Sequence, residues 1–273
     1  MFKILSNEKI APRIFRMEIE AGLVAKKAKA GQFLMLRIDE KGERIPLTVA
    51  GNDDKNITIV YQTVGVTTHR LTEKKQGEYL LDVVGPLGHA TELGQIGTVC
   101  CIGGGVGIAE LYPVAKAYKD SGNKVITIIG ARDKELVIYK DELKKISDEF
   151  FVTTDDGSDG EKGFVSNVLK RLIEAGQKID LVYAVGPGIM MKVISEVTRP
   201  SKIKTIVSLN TVLVDGTGMC GSCRIEVGGE TKFACVDGPE FDGHKVNFDE
   251  LMARQGFFKE QEAHACKIRG ISQ

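Results

Sequence analysis

Four residues near the C-terminal end of the chain have the types and spacing of a metal-ligand set. Cys220 and Cys223 lie two residues apart within V-D-G-T-G-M-C-G-S-C, and Cys235 follows after eleven further residues. Asp215 precedes Cys220 with four residues between them, so the run matches the Cys-x4-Cys-x2-Cys…Cys spacing of plant-type sites with aspartate first. A carboxylate is a harder ligand than a thiolate but still binds ferric iron. The spacing therefore predicts a [2Fe-2S] cluster on these four residues.

Two other interpretations of these cysteines remain open from the sequence. The Cys-x2-Cys pair also suits zinc, with Cys235 and either Asp215 or His244 completing the ligand set. Three unligated thiols are the other alternative. The surrounding segment is rich in glycine and has little apolar periodicity, so it needs a bound group to hold one conformation. The interspersed glycines also suit a loop whose N–H groups turn toward cluster sulfurs.

Three glycine-bearing loops are candidates for phosphate binding. Each follows a short apolar stretch, and they read C-C-I-G-G-G-V-G-I-A, A-V-G-P-G-I-M-M and T-T-D-D-G-S-D-G. Glycine lets the backbone approach a pyrophosphate, and a helix after the loop offers free N–H groups and its positive dipole end. A tight strand-to-helix turn without a ligand is the alternative. Because open α/β sheets bind ligands at the carboxyl ends of their strands, the three loops predict one shared crevice.

The charge balance excludes several classes of function. Thirty-seven basic and 37 acidic side chains cancel, so no chain-wide attraction to nucleic acid or to a membrane is indicated. The first residues, M-F-K-I-L-S-N-E, lack the apolar core of a signal peptide, and no apolar run approaches the ~20 residues of a membrane helix. We therefore expect a cytoplasmic protein with neither nucleic acid nor membrane as a partner. Six cysteines do not indicate a disulfide framework there.

Three regions of the chain, which differ in their pattern of apolar and turn residues, must position these residues. Residues 1–95 alternate short apolar runs with turn residues, which predicts a small β-barrel with one short helix at 67–72. Residues 96–210 alternate apolar strands with helices, which predicts a doubly wound parallel α/β sheet. Residues 211–273 are expected to form a small cluster-binding module and a tail. The predicted strands are 14–19, 32–38, 47–50, 57–61, 79–84, 98–102, 125–129, 151–154, 181–185 and 205–209.

The glycine loops also carry a family resemblance. G-G-G-V-G-I-A at 103–109, together with G-P-x-x-M at 186–190, resembles the ferredoxin–NADP reductase superfamily. The cysteine segment and the following F-A-C-V-D-G-P-E-F-D-G-H narrow the resemblance to two groups of electron-transfer subunits. These are the small subunits of NADH-dependent reduced ferredoxin:NADP oxidoreductases and the corresponding subunits of dihydroorotate dehydrogenases. The resemblance implies an FAD-binding β-barrel, a nicotinamide-dinucleotide domain and a C-terminal [2Fe-2S] module.

The resemblance implies which residues bind the two organic cofactors. R-I-P-L-T takes the place of the family's Arg-x-Tyr-Ser flavin element, with Arg44 one residue early and Thr48 as the hydroxyl. V-G-V-T-T-H-R-L resembles the pyrophosphate segment, in which Gly65 permits close approach and Thr67 and Thr68 offer donors. A simple helix cap is the alternative for Thr67. The implied flavin residues are Arg44, Pro46, Leu47, Thr48, Gly65, Thr67 and Thr68. The implied nucleotide residues are Gly103, Gly104, Gly105, Gly107, Gly186, Pro187 and Met190.

The choice between NAD(H) and NADP(H) depends on the loop G-A-R-D-K-E. Arg132 could accept a 2′-phosphate, whereas Asp133 or Glu135 could bond a free 2′-hydroxyl. Solvated loop charges are the third alternative. Asp156, in the third glycine-bearing loop, is a further candidate contact for the nucleotide. The resemblance favours NAD(H), with NADP(H) as the alternative.

Two positions depart from the family pattern. Val185 stands where many relatives have a cysteine beside the nicotinamide, and Glu110 stands where many have proline. We therefore assign no thiol to hydride transfer. The flavin and the nicotinamide carry that chemistry themselves, so the protein needs only to position them.

The function that the resemblance implies is electron transfer. NADH would reduce FAD, and single electrons would pass through a [2Fe-2S] cluster to a larger partner subunit with FAD and [4Fe-4S] clusters, where bifurcation would occur. An electron-transfer subunit of dihydroorotate or sulfide dehydrogenase is the alternative with the same fold. Asp215 favours the first, because the dihydroorotate dehydrogenase subunit has four cysteines. A zinc-stabilised interaction module without redox activity is a third alternative.

Overall fold

The N-terminal part of the computed structural model, which describes residues 1–271, is an antiparallel barrel. Its elements are β1 Phe2–Ala11, β2 Ile14–Glu20, α1 Gly22–Ala25, β3 Phe33–Arg37, β4 Ile45–Asn52, β5 Asn56–Gln62, α2 Val66–Glu73, β6 Tyr79–Leu80 and β7 Asp82–Leu87. The strands are hydrogen-bonded in the order β6-β1-β2-β5-β4-β3-β7. Leu81 alone separates the two edge strands along the chain, so the sheet curls until its edges adjoin.

Burial at every second position fills the barrel interior. Ile57, Ile59 and Tyr61 on β5 are almost fully buried, and Met17 and Ile19 on β2 pair with this strand. Each such side chain contributes about 1.5–3 kcal/mol by leaving water. The barrel therefore has an apolar core of its own.

The second unit is a sheet with helices on both faces. Its elements are β8 Thr98–Gly104, α3 Gly107–Asp120, β9 Lys124–Ala131, a 3₁₀ turn Lys134–Leu136, α4 Lys140–Ile146, β10 Glu149–Thr154, β11 Glu161–Lys162, α5 Val165–Glu174, β12 Leu181–Val185, α6 Gly188–Thr198 and β13 Lys204–Ser208. A late strand, β16 Glu240–Asp242, completes it in the order β11-β10-β9-β8-β12-β13-β16. All neighbours are parallel except β13 and β16.

The strand β8 is the switch point of this sheet. The chain runs from β8 to β9 on one side and later places β12 on the other side. The loops that follow β8 and β12 therefore open at the same edge, where Gly103 and Val185 are register partners. Ligands of open α/β sheets bind at such a point.

The C-terminal segment leaves the sheet after β13 and returns to it at β16. Its elements are β14 Arg224–Val227, β15 Glu230–Phe233, α7 Ala234–Asp237, β16, α8 Phe248–Gln255 and α9 Lys259–Ile268. Cys223, Ile225, Phe248 and Leu251 belong to the apolar cluster on one face of the sheet. The cysteine-bearing loop is therefore packed against the sheet and anchored in it on both sides.

The fold class predicted from the sequence is confirmed, with a barrel, a doubly wound parallel sheet and a C-terminal module. The strands predicted between residues 14 and 209 are all present, although the predicted strand 79–84 is divided into β6 and β7. β1, β11, β14, β15 and β16 were not predicted. β11 and β16 have only two and three residues, too few for a hydrophobic period to be visible. In the part of the chain that the structure describes, no helix is long and apolar enough to cross a bilayer.

One carboxylate joins the three units. Glu240 on β16 accepts hydrogen bonds through Oε1 from the Thr91 hydroxyl at 2.6 Å and from the Tyr183 hydroxyl at 2.9 Å. Thr91 lies in the segment that leaves the barrel, and Tyr183 is on β12. The N–H of His89 donates to the carbonyl of Gly238 at 2.7 Å, which joins the same two segments through their backbones. Burial raises the pKa of Glu240.

Replacing Glu240 should separate its hydrogen-bonding role from its charge. Glu240→Ala is expected to lower the free energy of unfolding by about 1–3 kcal/mol, because two hydroxyl donors lose their acceptor. Glu240→Gln keeps an acceptor oxygen and should be nearly neutral.

The same two variants also test the pH dependence of stability. Folding raises the pKa of Glu240 above its ordinary value of 4.5. The contribution of Glu240 to the free energy of unfolding is therefore greatest below pH 4.5 and is lost as pH rises through the folded pKa. Glu240→Gln should lack that decline. Urea unfolding followed by circular dichroism at several pH values measures both effects, and an Ala variant as stable as the parent would contradict the role of Glu240.

Candidate functional site

A cavity of about 740 Å³ opens where the loops after β8 and β12 meet. Gly104 and Gly105 line it from the first loop, Pro187 and Met190 from the second, and Arg132 from the end of β9. The space beside the Gly105 Cα is open, so a ligand can lie directly against the backbone there. These five predicted nucleotide residues are brought together in one crevice, which fits a dinucleotide and which we call the nucleotide cavity.

Gly103, Gly107 and Gly186 lie outside the cavity lining and allow its loops to pack. A Cβ at position 107 would be 2.9 Å from the carbonyl oxygen of Val185, and a Cβ at position 186 would be 2.8 Å from Met190 Cε. Both distances are shorter than real Cβ contacts, so the two loops approach each other only because glycine is present. Gly107 and Gly186 therefore have a packing role, and the predicted contact of the three glycines with the nucleotide stays a prediction.

Asp156, which was predicted to contact the nucleotide, does not line this cavity. Its carboxylate accepts hydrogen bonds from the N–H and the hydroxyl of Ser158, at 2.9 and 2.7 Å, and Asp155 lines the cavity instead. Asp133 is likewise engaged, because it accepts from the backbone of the 3₁₀ turn at 2.9 Å. Within G-A-R-D-K-E, Arg132 is thus the charged side chain that lines the nucleotide cavity.

A second cavity, of about 410 Å³, lies between the barrel and the sheet. Pro46, Leu47 and Thr48 line it from β4, and Thr68 lines it from α2. We call it the flavin cavity, because these four residues were implied to bind the flavin. Its lining is mainly apolar with a few polar groups, which suits a planar cofactor.

The nucleotide and flavin cavities adjoin. Gln62, Val64 and Val106 line both of them. Gln62 ends β5, and Val106 belongs to the glycine loop after β8. Two groups bound in these cavities would therefore lie side by side, as hydride transfer requires.

The N-terminus of α2 already holds an anionic group of this chain. The N–H of Val66 donates to Glu262 Oε1 at 2.8 Å, and this carboxylate belongs to α9. A Cβ at Gly65 would be 2.1 Å from the same oxygen. Because free N–H groups at a helix start bind oxyanions, the carboxylate stands in for a phosphate at the predicted pyrophosphate segment.

The two threonines of this segment have different contacts. Thr68 accepts hydrogen bonds from the N–H groups of Val64 and Gly65, both at 3.0 Å, and so caps the start of α2. Thr67 donates its hydroxyl to Glu43 and does not line the flavin cavity. The cap role considered for Thr67 therefore belongs to Thr68.

The four predicted cluster ligands lie on one loop and on α7. Cys223 and Cys235 are buried, and their Sγ atoms are 3.2 Å apart. Cys220 is exposed, with its Sγ 3.4 Å from the hydroxyl of Ser222, and Asp215 accepts hydrogen bonds within its own loop. Among residues 1–271, no three His, Cys, Asp or Glu side chains converge as metal ligands. The structure thus brings two of the four predicted ligands together.

The electrostatics of this loop suit anionic ligands. A neighbouring serine hydroxyl lowers the pKa of Cys220, and a neighbouring threonine hydroxyl lowers that of Asp215, with a further contribution from Arg44. Arg44 is exposed and does not line the flavin cavity, so the structure places it nearer to the cluster loop than expected. Burial raises the pKa of Cys235 to about 12, which metal binding would reverse.

The backbone of the cluster loop depends on glycine. Gly216, Gly218 and Gly221 have φ angles of +86°, +87° and +69°. Such left-handed residues turn N–H groups inward and make a concave site for an anion. His244, considered as a zinc ligand, is hydrogen-bonded through Nε2 to Thr198 on α6 at 2.9 Å instead. The donor set of this loop is therefore three thiols and a carboxylate, which fits an iron–sulfur cluster.

Comparison with known proteins identifies the two C-terminal units. Residues 101–196 match the oxidoreductase NAD-binding domain, and residues 210–247 match the iron–sulfur cluster binding domain of dihydroorotate dehydrogenase B. The dihydroorotate dehydrogenase B (NAD+) electron-transfer subunit homolog of Thermotoga maritima is 50% identical, over 95% of this chain and 92% of its own length. The chain belongs to this family of electron-transfer subunits.

Further members of the electron-transfer subunit family, and more distant reductases, resemble the chain. The dihydroorotate dehydrogenase B subunit of Streptococcus pneumoniae is 36% identical over 88% of this chain and 94% of its own. The structure of NADH-dependent reduced ferredoxin–NADP oxidoreductase, an example of flavin-based electron bifurcation, contains a similar chain. That chain is 48% identical to this one, with a TM-score of 0.93 over 98% of this chain and 97% of its own. Phthalate dioxygenase reductase, at 18% identity and a TM-score of 0.60 over 83% and 85%, shares the fold.

These findings confirm the predicted superfamily and the oxidoreductase class. The matched domains and the reductase fold support NAD(H), a [2Fe-2S] cluster and FAD as the cofactors. An electron-transfer subunit also implies a larger partner subunit that receives or supplies the electrons.

Motif reasoning missed three charged side chains at these sites. Arg13 lines the nucleotide cavity with a φ of +62°, Glu110 lines the flavin cavity, and Glu262 contacts the start of α2. Arg13 and Glu262 reach the site through tertiary contacts of distant segments. The sequence did single out Glu110, because many members of the family have proline at this position.

Glu262 should compete with FAD for the start of α2. Glu262→Ala is expected to tighten FAD binding about two- to fivefold, because the energy of an anion at a helix N-terminus is ~0.3–1 kcal/mol. Glu260→Ala, an exposed position on the same helix, is the matched control. Titration of flavin-free protein with FAD, followed by flavin fluorescence, measures the affinities. Equal affinity of the two variants would exclude competition.

Proposed function

We propose that this chain passes electrons from NADH, through FAD and a [2Fe-2S] cluster, to a larger partner subunit of an NADH-dependent ferredoxin:NADP oxidoreductase. The order of its sites supports the proposal. The nucleotide cavity adjoins the flavin cavity, and Leu213 and Ala234 of the cluster segment line the flavin cavity. Ala234 directly precedes Cys235. The three sites therefore follow one another in the order that electron transfer from NADH requires.

The loops after β8 and β12 position the nucleotide in this proposal. Gly104 and Gly105 bring the backbone to the pyrophosphate, while Pro187 and Met190 position the nicotinamide. NAD(H) is the proposed nucleotide. NADP(H) is the alternative, because Arg132 lines the same cavity and a guanidinium suits a 2′-phosphate.

The barrel positions the flavin. Pro46, Leu47 and Thr48 would hold the ring system, and Gly65 and the start of α2 would hold the pyrophosphate in place of the carboxylate of α9. When bound, FAD accepts a hydride and the cluster takes electrons one at a time, so this pair converts two-electron into one-electron chemistry. The mainly apolar lining excludes water from the reacting face.

Asp215, Cys220, Cys223 and Cys235 are the proposed cluster ligands. The exposed position of Cys220 places this end of the site at the surface, and Met219 beside it is also exposed. A partner subunit can therefore approach the cluster from this side. The proposed partner holds FAD and [4Fe-4S] clusters, and bifurcation takes place there; the close likeness to a chain of a bifurcating enzyme supports this.

We propose domain boundaries at 1–95, 96–210 and 211–273, and a cytoplasmic location. The contributions of β16 and α8 to the second unit make the third region an extension of it, because β16 is hydrogen-bonded to β13. Such an extension is expected to unfold together with the sheet.

An electron-transfer subunit of dihydroorotate or sulfide dehydrogenase is the second candidate. The names of the relatives from Thermotoga maritima and Streptococcus pneumoniae favour dihydroorotate. Asp215 favours the ferredoxin:NADP enzyme, on the resemblance described above. Mixing the chain with the large subunit of either enzyme, and following NADH oxidation with orotate or with ferredoxin plus NADP+, distinguishes the two.

The cluster and the flavin should be separable by mutation. Cys223→Ala is expected to abolish the [2Fe-2S] electron paramagnetic resonance signal, while FAD stays bound and NADH still reduces it. Cys266→Ala, a buried thiol outside the ligand spacing, is the control and should keep both signals. Iron, sulfide, zinc and flavin per chain are measured after anaerobic purification. A parent protein that contains zinc and no flavin would overturn the proposed function.

The role of Asp215 should be visible in the spectrum of the reduced cluster. Asp215→Cys is expected to retain the cluster with changed g-values and a changed potential, because a softer ligand replaces a harder one. Val214→Cys adds a thiol one residue earlier and keeps the carboxylate, so it should leave the signal unchanged. Identical spectra for Asp215→Cys and the parent would exclude Asp215 as a ligand.

A further inference from the structure

Glu110 is the acidic side chain of the flavin cavity. It lies in the first turn of α3 and lines the cavity from the sheet side. Tyr61 is the other titratable residue of the lining, and burial raises its pKa to about 12. No lysine, arginine or histidine lines the cavity among the described residues. No cation therefore neutralises Glu110 from the cavity wall.

A hydroxyl connects this carboxylate with the flavin element of the barrel. Thr48 on β4 and Glu110 on α3 line the same cavity, and the Thr48 hydroxyl lowers the pKa of the Glu110 carboxyl. The pair spans the two units that enclose the cavity, with Thr48 on the barrel and Glu110 on the sheet. A hydroxyl that donates to a carboxylate can accept another proton as it gives up its own, so it can relay a proton.

The surroundings of Glu110 leave it as the group there whose charge can change near pH 7. Burial raises the pKa of Glu110 to about 7, and the Thr48 hydroxyl partly opposes the shift. Cys101 on β8 and Tyr183 on β12 belong to the apolar layer beneath α3, and burial raises both of their pKa values well above the ordinary range. These two groups, like Tyr61, stay neutral near pH 7. Glu110 can change its charge there.

The proposed reaction leaves one proton to be placed. Oxidation of NADH to NAD+ releases a hydride, which is one proton and two electrons. A [2Fe-2S] cluster held by Asp215 and the three cysteines would accept the two electrons in succession and would accept no proton. For every NADH oxidised, one proton is therefore released at the flavin and must pass to a base, and in the reverse direction the same proton must be supplied.

We propose that Glu110 is this base, and that it receives the proton through the hydroxyl of Thr48. The O–H bond of Thr48 breaks as its proton joins the Glu110 carboxylate, and a new O–H bond forms with the proton that leaves the flavin. The carboxylic acid then loses its proton to water. This assignment rests on the proposed function and adds the path of the proton to it.

Two half-reactions of the FAD- and cluster-loaded protein test the assignment. In Glu110→Gln, reduction of the flavin by NADH should keep the parent rate, because hydride transfer needs no base. Reoxidation by ferricyanide should slow about ten- to a hundredfold and lose its dependence on pH near 7. Glu110→Asp should restore part of the rate. Glu174→Gln, which removes an exposed carboxylate on α5 outside both cavities, is the matched control and should leave both half-reactions unchanged.

A second measurement needs no bound cofactor. Infrared difference spectra of the flavin-free chain between acid and neutral pH should show a carboxylic acid that titrates near pH 7 and is absent in Glu110→Gln. Absence of that signal in the parent overturns the proposal, as does a Glu110→Gln variant that is reoxidised at the parent rate. In either case NADH still reduces the flavin. Failure of NADH to reduce the parent protein would overturn the proposed function instead.

Discussion

Hydrogen bonding at Glu240 fixes how the barrel, the sheet and the cluster segment meet. Two hydroxyl donors, Thr91 and Tyr183, come from the barrel exit and from β12, while Glu240 itself comes from β16. Both cavities depend on this arrangement, because the flavin cavity is enclosed by the barrel and the sheet and is lined in part by the cluster segment. The carboxylate therefore lines neither cavity and yet holds together the units that enclose them.

The parts of the fold that the sequence predicted correctly are those with local causes. Period-two burial gives the barrel strands, and apolar strands followed by helices give the parallel sheet. The meeting of Gly104 with Pro187 was also predictable, because strand ends in a parallel sheet share an edge. The contacts of Arg13, Glu262 and β16 were not, since each joins segments distant in sequence. The side chains of Asp156 and Cys220 are engaged within their own loops, which no spacing rule reveals.

The site combines two kinds of surroundings that electron transfer from a hydride donor needs. The flavin cavity is mainly apolar and closed on one side by the sheet, which protects a reactive reduced group from water. The cluster loop is at the surface, where Met219 and Cys220 are exposed. Between them, Ala234 lines the flavin cavity and directly precedes the buried Cys235, so the cluster segment adjoins the flavin cavity at its buried end.

The loop that carries the cysteines leaves the sheet at β13 and returns to it at β16, and those two strands are hydrogen-bonded to each other. A redox centre on such a loop cannot travel as a tethered shuttle does, because a swing of the loop would break sheet hydrogen bonds at both of its ends. The tunnelling distance from the flavin is therefore a fixed property of the fold. Only the gap to the partner can vary, so the geometry of the docked complex, rather than internal domain motion, should govern the rate at which electrons leave.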